Sequence, residues 1–396
     1  MMKMKKNICY IFLAVMLIAQ GCEKDSFLQD GSFSGDNNVT EAQLWANPDY
    51  ARNFLNNIYS TLQDRYNLDG DGGILASGSD EAVNSNLNGG INVLNNGTWA
   101  PVRTFDDVYA NMYAGIRKAN MFIEKAPTSP FIVLDELIPA NVAANQTYEL
   151  QLARLVGQAY FLKAFFEFEL LKRYGSFVIV NKTLTVNDEL DVPRNTFEEC
   201  VAQIAKDCEE AITRLPLSPT EWNGTNKGRA AGTAAMALKA RLLLYAASPQ
   251  YNPTGDITKW QAAADAAKRI MDTGKHNLFN SYPNIWLWNV TANQYNAETI
   301  FATSANATVA IEQNNAPISY DAANGRTNPT QEMVDAYEMK TTGKPITDAT
   351  SGYSATNPYT NRDPRFGFSV LFNTASVQPV VASNRFKSKD VETFVG

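Results

Sequence analysis

The pattern of hydrophobic and polar positions predicts one long helix over residues 149–175 at the centre of this chain. Apolar residues spread round most of a 3.6-residue wheel, and polar residues fall on one narrow stripe. The stripe consists of Gln151, Arg154, Gln158, Glu169 and Lys172. Lys163 and Glu167 interrupt the apolar part at i and i+4, and we expect them to meet a neighbouring helix. Such a helix must be covered by other elements on several sides.

The same periodicity predicts further helices before and after this one. They cover residues 49–66, 104–125, 196–215, 229–247 and 259–273. The central helix and the three that follow it form two pairs, which suggests stacked helical hairpins. Two of these helices resemble tetratricopeptide units, although the loops exceed what the 34-residue period of such repeats allows. The predicted fold is mainly α, with tetratricopeptide-like helical hairpins supporting an irregular, loop-rich face and a few short strands.

Two loop segments carry turn signals. Residues 67–73, NLDGDGG, follow the first half of a calcium loop, but the twelfth position is Gly78, where an EF-hand needs a bidentate Glu. We therefore interpret this segment as an Asp/Gly turn. Residues 84–99 are rich in Asn and Gly, and their Asn-Gly pair predicts a tight hairpin within an exposed loop. Beyond residue 277 the pattern gives way to turns, loops and short extended pieces such as GFSVLF.

The N-terminus has the layout of a secretory signal. Lysines precede an apolar run of about a dozen residues, too short to span a bilayer permanently, which takes roughly 20. Residues 1–21 are therefore predicted to be a cleaved signal peptide. The ending LIAQGC is similar to a bacterial lipobox, which makes Cys22 the predicted lipidated residue; an ordinary signal peptide is the alternative. Residues 22–42 then form a flexible tether, and residues 43–396 a single α-helical domain.

Composition and charge exclude some classes of function. The net charge is −7, and loss of the lysines in the signal takes it to about −10, which argues against nucleic acid because phosphates require a basic face. Cys200 and Cys208 lie about 12 Å apart along one predicted helix, beyond disulfide reach, so both are expected to be core thiols. The only histidine, His276, follows a predicted helix and is expected to be a surface cap residue. No metal site or cofactor is predicted.

The sequence contains none of the common catalytic motifs. It has no GxSxG elbow, P-loop or GxGxxG. Acids such as Asp80, Glu81, Asp106 and Asp107 could meet in space as a glycosidase pair, but surface carboxylates are common, and we expect no enzyme.

Several segments, in their order and spacing, together resemble the SusD/RagB family of outer-membrane lipoproteins of the Bacteroidota. They are LIAQGC, YAGIRKANMFIE, QAYFLKAFFEFELLKRYG, GRAAGTAAMALKARLLLYAASP, NPTQEMVDAYEMKTTGKPI and NRDPRFGFSVLF. The resemblance implies helical hairpins behind an irregular ligand face, in a protein that sits as a lid on a SusC-like TonB-dependent transporter. Family members capture glycans or, in the RagB branch, oligopeptides, and they are not enzymes. Because members usually continue well past NRDPRF, the resemblance also implies a C-terminally truncated chain.

The candidate ligand residues are aromatic, amide and guanidinium side chains in the predicted loops. Flat aromatic rings suit the C–H face of a sugar, and amides or Arg suit its hydroxyls. Trp99, beside Asn95 and Asn96, fits this requirement, with packing under the hairpin as the equal alternative. Weaker candidates are Trp286, Tyr320 and Arg326. Arg362 and Arg365 flank a turn and are expected to lock loops, outside the binding site.

We therefore predict a lipid-anchored protein of the outer-membrane surface that binds a nutrient oligomer, a glycan in the first place, and delivers it to a SusC-like transporter. Oligopeptide capture is the alternative in the same setting. A tetratricopeptide scaffold without a small ligand is a second alternative, and it predicts no solvent-facing aromatic residues on the loop face. A periplasmic hydrolase, the third, predicts two carboxylates within about 10 Å in a cleft.

Overall fold

The computed structural model describes residues 39–62, 68–128, 148–222, 228–285, 295–303, 310–318 and 323–372, with two short strands beyond them. The predicted signal peptide, Cys22 and most of the tether lie outside the described residues. No helix in the described ranges is long and apolar enough to cross a membrane.

The described residues are mainly helical, as predicted. The helices are α1 (Glu41–Ala46), α2 (Pro48–Tyr59), α3 (Asn92–Asn95), α4 (Tyr109–Lys125), α5 (Tyr148–Tyr174), α6 (Phe197–Arg214), α7 (Gly232–Ala247), α8 (Ile257–Asp272), α9 (Tyr282–Ile285), α10 (Ala310–Asn315), α11 (Gln331–Ala336) and α12 (Pro364–Ser369). The strands form two antiparallel pairs, β1 (Ala82–Asn84) with β2 (Thr327–Pro329) and β3 (Ser376–Val377) with β4 (Lys389–Asp390).

Helix α5 is the centre of the fold, and no residue from 151 to 174 is exposed. Even part of its polar stripe is buried: Gln158 accepts hydrogen bonds from the Tyr59 hydroxyl and from Arg229, each at 3.0 Å. Lys163 meets a neighbouring helix, as predicted, because its Nζ lies 3.0 Å from Asp207 on α6. At these two positions, the buried polar residues of the central helix find partners on other elements.

The long helices stack in chain order. Helix α5 packs on α4 and α6, α6 packs on α7, and α7 packs on α8, which confirms the stacked hairpins. Helix α6 begins after Thr196, whose side chain caps Glu199 N while the Glu199 carboxylate accepts from Thr196 N. In α7 small side chains lie at the contact between helices, where Ala234 and Ala235 are buried.

Several predicted boundaries are wrong, and two of the differences have a local cause. Helix α4 begins five residues later than predicted because Asp106 and Asp107 bind Arg173 and Tyr174 at the end of α5. Helix α7 begins at Gly232 rather than 229, since the preceding Ala230 N donates to the Tyr59 hydroxyl. The prediction for α2 extended to residue 66, whereas the helix ends at Tyr59. Helix α8 begins two residues earlier than predicted.

Two predictions of extended backbone are also wrong. The Asn-Gly pair forms no hairpin; α3 ends at Asn95, and Gly97 adopts a left-handed φ of 67° so that Thr98 N and Trp99 N both return to Val93 O. GFSVLF is not extended throughout, because Gly367 to Ser369 belong to α12. In both places backbone N–H groups donate to carbonyls of the helix that precedes them, so they are not free to pair with a strand.

Cys200 and Cys208 are buried free thiols, as predicted. His276 is not a surface cap residue: it is partly buried, and its Nε2 lies 2.9 Å from Thr233 Oγ1 on α7. Arg362 locks its loop as predicted, since its guanidinium donates to backbone carbonyls.

Candidate functional site

A loop-rich face is built where two distant parts of the chain meet. Residues 68–104 and 310–330 are joined by the β1–β2 pair, in which Ala82 lies opposite Pro329 and Asn84 opposite Thr327. Hydrogen bonds that involve side chains also connect the two segments: Ile74 N donates to Thr327 Oγ1 at 2.8 Å, and Asn315 Nδ2 donates to Gly72 O at 3.0 Å. We call the described part of these two segments the loop body.

Two aspartates of NLDGDGG hold the loop body together. Asp69 is buried, and its Oδ2 accepts from Ile91 N at 2.8 Å. Asp71 accepts from Gly73 N at 2.9 Å and from the side-chain amides of Asn84 and Asn86. Carboxylate oxygens aimed at N–H donors are not arranged for calcium, which prefers six to eight oxygen ligands. The Asp/Gly turn is confirmed.

The electrostatics of this turn favour the ionised carboxylate. Burial raises the pKa of Asp71, but hydrogen bonds from Gly73, Asn86 and Asn84 and the charge of Arg326 together hold it below its usual value. Gly72 has a left-handed φ of 85°, and a Cβ there would lie 2.1 Å from Asn314 Nδ2. The turn therefore depends on both its charge and its glycine.

Trp99 is presented to solvent on the rim of the loop body. Its side chain is 59% exposed, while its backbone N is bound to Val93 O, so a fixed backbone carries an open indole ring. This exposure does not agree with the alternative in which Trp99 packs under a hairpin. An exposed ring of this size on a tethered backbone is suited to stacking on a flat apolar ligand surface.

The two asparagines beside Trp99 are each partly engaged. Asn95 Nδ2 donates to Ser77 O at 2.7 Å, and Asn96 Oδ1 accepts from Thr98 Oγ1 at 2.6 Å. Asn95 Oδ1 and Asn96 Nδ2 make no hydrogen bond within the part of the chain that the structure describes, and both residues are exposed. One acceptor and one donor therefore remain for a ligand hydroxyl.

Arg326 belongs to the same loop body. Its Nε lies 3.9 Å from Asp71 Oδ2, too far for a hydrogen bond, and its carbonyl accepts from Ser85 N at 2.8 Å. The structure thus joins the segments of Arg326 and Trp99 in one unit. Trp286 and Tyr320 lie outside the described residues.

A cavity of about 360 Å³ lies beside the β1–β2 pair. Ile74, Ala82, Met333 and Val370 provide much of its apolar wall, and Glu81 and Asn328 reach it as polar groups. Sequence patterns do not reveal this cavity, because its walls come from positions almost 300 residues apart. Glu81, one of the acids named above as a possible catalytic group, lines it.

Two of the other acids, Asp106 and Asp107, use their carboxylates to hold the fold together. Asp106 accepts from Arg173 Nε at 2.6 Å. Asp107 accepts from the Tyr174 hydroxyl at 2.7 Å, and this bond is the main cause that holds the pKa of Asp107 below its usual value. Among the described residues no group of three or more His, Cys, Asp or Glu is placed to hold a metal ion.

Two family models match the chain. A model described as "Starch-binding associating with outer membrane" matches residues 52–244, and the model of the SusD family matches residues 285–395. The two matched ranges together cover most of the chain. No curated protein matches it.

Solved structures share the fold. A SusD-like protein from Bacteroides fragilis is 27% identical with a TM-score of 0.67, over 85% of this chain and 63% of that one. A SusD-like carbohydrate-binding protein from the same species is 19% identical with a TM-score of 0.63, over 84% and 61%. A laminarin-binding SusD-like protein is 22% identical with a TM-score of 0.51, over 64% and 50%. The chain therefore spans less than two thirds of the length of these proteins.

Proposed function

Because the chain belongs to the SusD/RagB family, we propose that it is a glycan-binding protein of the outer-membrane surface. The observation that carries the proposal is Trp99, an exposed indole on a backbone fixed by Val93. Sugar rings present C–H faces that stack on such a ring, with hydroxyls left for the neighbouring amides. Two proteins that share the fold, one carbohydrate-binding and one laminarin-binding, support the same ligand class.

The setting of this function is part of the proposal. Lipidation at Cys22 anchors the protein in the outer membrane, and a SusC-like TonB-dependent transporter receives the glycan. The family membership and the LIAQGC segment support this arrangement. In this arrangement the protein binds the glycan and delivers it to the transporter without catalysing a reaction, so the glycan is released chemically unchanged. Asn95, Asn96 and Arg326 act as hydrogen-bonding groups around the stacked sugar.

The test is the binding of the purified chain to a panel of plant, host and microbial glycans, followed by calorimetry with the best ligand. We expect Trp99→Ala to weaken binding at least about tenfold, the scale of a central aromatic contact. Trp260→Ala is the matched control, because Trp260 is 40% exposed on α8, outside the loop body. Circular dichroism checks that both variants retain their helices.

Three results would contradict the proposal. Binding of oligopeptides but of no glycan would move the function to peptide capture, and binding of neither would favour a scaffold. A glycan affinity that is unchanged in Trp99→Ala would remove Trp99 from the site.

A further inference from the structure

A second pocket, of about 480 Å³, lies in the segment that ends with α12. We call it the Lys340 pocket; the residues that line it include Lys340, Tyr359, Asn361, Arg362, Asp363, Phe366 and Phe372. Its frame is fixed by backbone hydrogen bonds, in which Lys340 N donates to Asn361 O and Asp363 N to Glu338 O, both at 2.8 Å. Asn361 has a left-handed φ of 58°, which aligns these bonds.

One wall of the pocket is a stack of aromatic rings. Tyr359 lies 5.9 Å from Phe366 and 4.6 Å from Phe372, with interplanar angles of 17° and 31°. Phe366 is buried, whereas Tyr359 is 39% exposed. The stack therefore holds the tyrosine ring in place while leaving part of it open, as a carbohydrate platform requires.

Beneath this wall lies a buried positive charge. The guanidinium of Arg362 donates to Val334 O at 2.6 Å, to Pro358 O at 2.8 Å and to Tyr337 O at 2.8 Å. Neutral carbonyls satisfy its donors, but no carboxylate among the described residues pairs with it. The charge of Arg362 is therefore not cancelled locally, and a low-dielectric surrounding carries its field further than water would.

A second cation stands at the mouth of the pocket. Lys340 is exposed, and its ammonium has no acceptor in the part of the chain that the structure describes. Asp363, the only carboxylate among the described residues that line the pocket, is already paired with Arg365 at 2.5 Å. The pocket thus carries a positive balance on a chain whose net charge is −7. On a protein whose overall charge is negative, two cations beside an exposed aromatic ring form a local site that attracts an anion.

We propose that the Lys340 pocket binds an acidic sugar unit, one that carries a carboxylate or a sulfate ester. This inference rests on the proposed function, since it assigns a chemical class to part of the bound glycan. The C–H face of the sugar lies on Tyr359, and its anionic group pairs with the ammonium of Lys340 in the field of Arg362. Arg362 itself positions the loop and donates nothing to the ligand, because its hydrogen bonds already go to backbone carbonyls.

The test compares three oligosaccharide probes by calorimetry: an oligogalacturonate, a chondroitin sulfate fragment and a neutral laminari-oligosaccharide. Lys340→Met removes the charge but keeps the stem, and Lys340→Arg keeps the charge. Lys275→Met is the matched control, an exposed lysine in the turn after α8. We expect an acidic probe to bind, Lys340→Met to lower its affinity about tenfold, and both Lys340→Arg and the control to stay within about threefold. Added salt weakens the acidic probe more than the neutral one.

The outcomes separate this inference from the proposed function. A response of the oligogalacturonate to Lys340→Met shows that a carboxylate is sufficient, whereas a response confined to the chondroitin sulfate fragment, which carries both groups, points to the sulfate. If Trp99→Ala removes binding of a neutral glycan while Lys340→Met leaves every acidic probe unchanged, the inference fails and the proposed function stands. If no probe and no other glycan binds, both fail. An equal loss for neutral and acidic probes in Lys340→Met would also overturn the inference, because a charge would then not be the cause.

Discussion

Replacing Glu167 with glutamine should make this protein more stable at alkaline pH. Glu167 is fully buried on α5, 3.8 Å from Lys163, and Lys163 itself lies closer to Asp207, at 3.0 Å. Asp207 also accepts from Gln203 at 2.9 Å. One ammonium thus faces two carboxylates, and Asp207 has the better partners. Because one ammonium cannot neutralise two carboxylates, the carboxyl group of Glu167 holds a proton. Glutamine has the shape of this protonated carboxyl group and can replace it.

The size and sign of the effect follow from proton linkage. Burial is the main cause that raises the pKa of Glu167 from 4.5 to about 8; Lys163 opposes it and Asp207 adds to it. Between these values the folded state binds the proton and the unfolded chain does not. The stability that depends on this proton is fully present below pH 4.5 and is lost as pH rises through about 8. At 1.36 kcal/mol per pH unit, the loss is on the order of 5 kcal/mol.

The assay is urea unfolding followed by circular dichroism at pH 5, 6, 7, 8 and 9. The sequence has a single histidine, so few other groups titrate in the upper part of this range. We expect Glu167→Gln to match the wild type within about 1 kcal/mol at pH 5 and to exceed it by a few kcal/mol at pH 9.

The matched control is Glu169→Gln, two residues further along α5. Glu169 is buried but paired with Lys172 at 2.7 Å and Arg173 at 2.5 Å, so its loss should destabilise the fold by roughly 3 kcal/mol at every pH tested. Parallel pH profiles for the wild type and Glu167→Gln would refute the reasoning, because they would mean that Glu167 is not the group that takes up the proton.

Two further predictions concern the core. Gly115→Ala should destabilise the protein by about 1–3 kcal/mol, since a Cβ there would lie 2.6 Å from the Phe166 ring. Gly367→Ala is the control and should have no destabilising effect, because the space around Gly367 is open. Thermal unfolding compares the two variants, and equal melting temperatures would contradict the packing argument. Burial raises the pKa of the Cys200 and Cys208 thiols, so peptide mass spectrometry should find both unmodified by iodoacetamide in the folded protein and modified in urea; labelling in the folded state would show that the helices open.

Much of the helical architecture could be read from the sequence. Apolar residues at helical spacing act within a few positions, so they predicted α5 to α8 and their stacking. The prediction that Lys163 meets a neighbouring helix also succeeded, because a charged residue inside an apolar surface must find a partner. The candidate Trp99 came from its place in an Asn/Gly-rich loop.

Other features were decided only by the tertiary structure. The Asn-Gly pair after Leu94 would suit a hairpin, but no partner strand lies there among the residues that the structure describes, and the chain closes a helical turn instead. The Lys340 pocket joins residues that are separated along the chain, and their charges and rings carry no periodicity that could reveal the contact. The charge state of Glu167 depends on Asp207 from the next helix. Local patterns determine which segments become helices, whereas burial and long-range contacts decide which side chains are open to a ligand and which hold a proton.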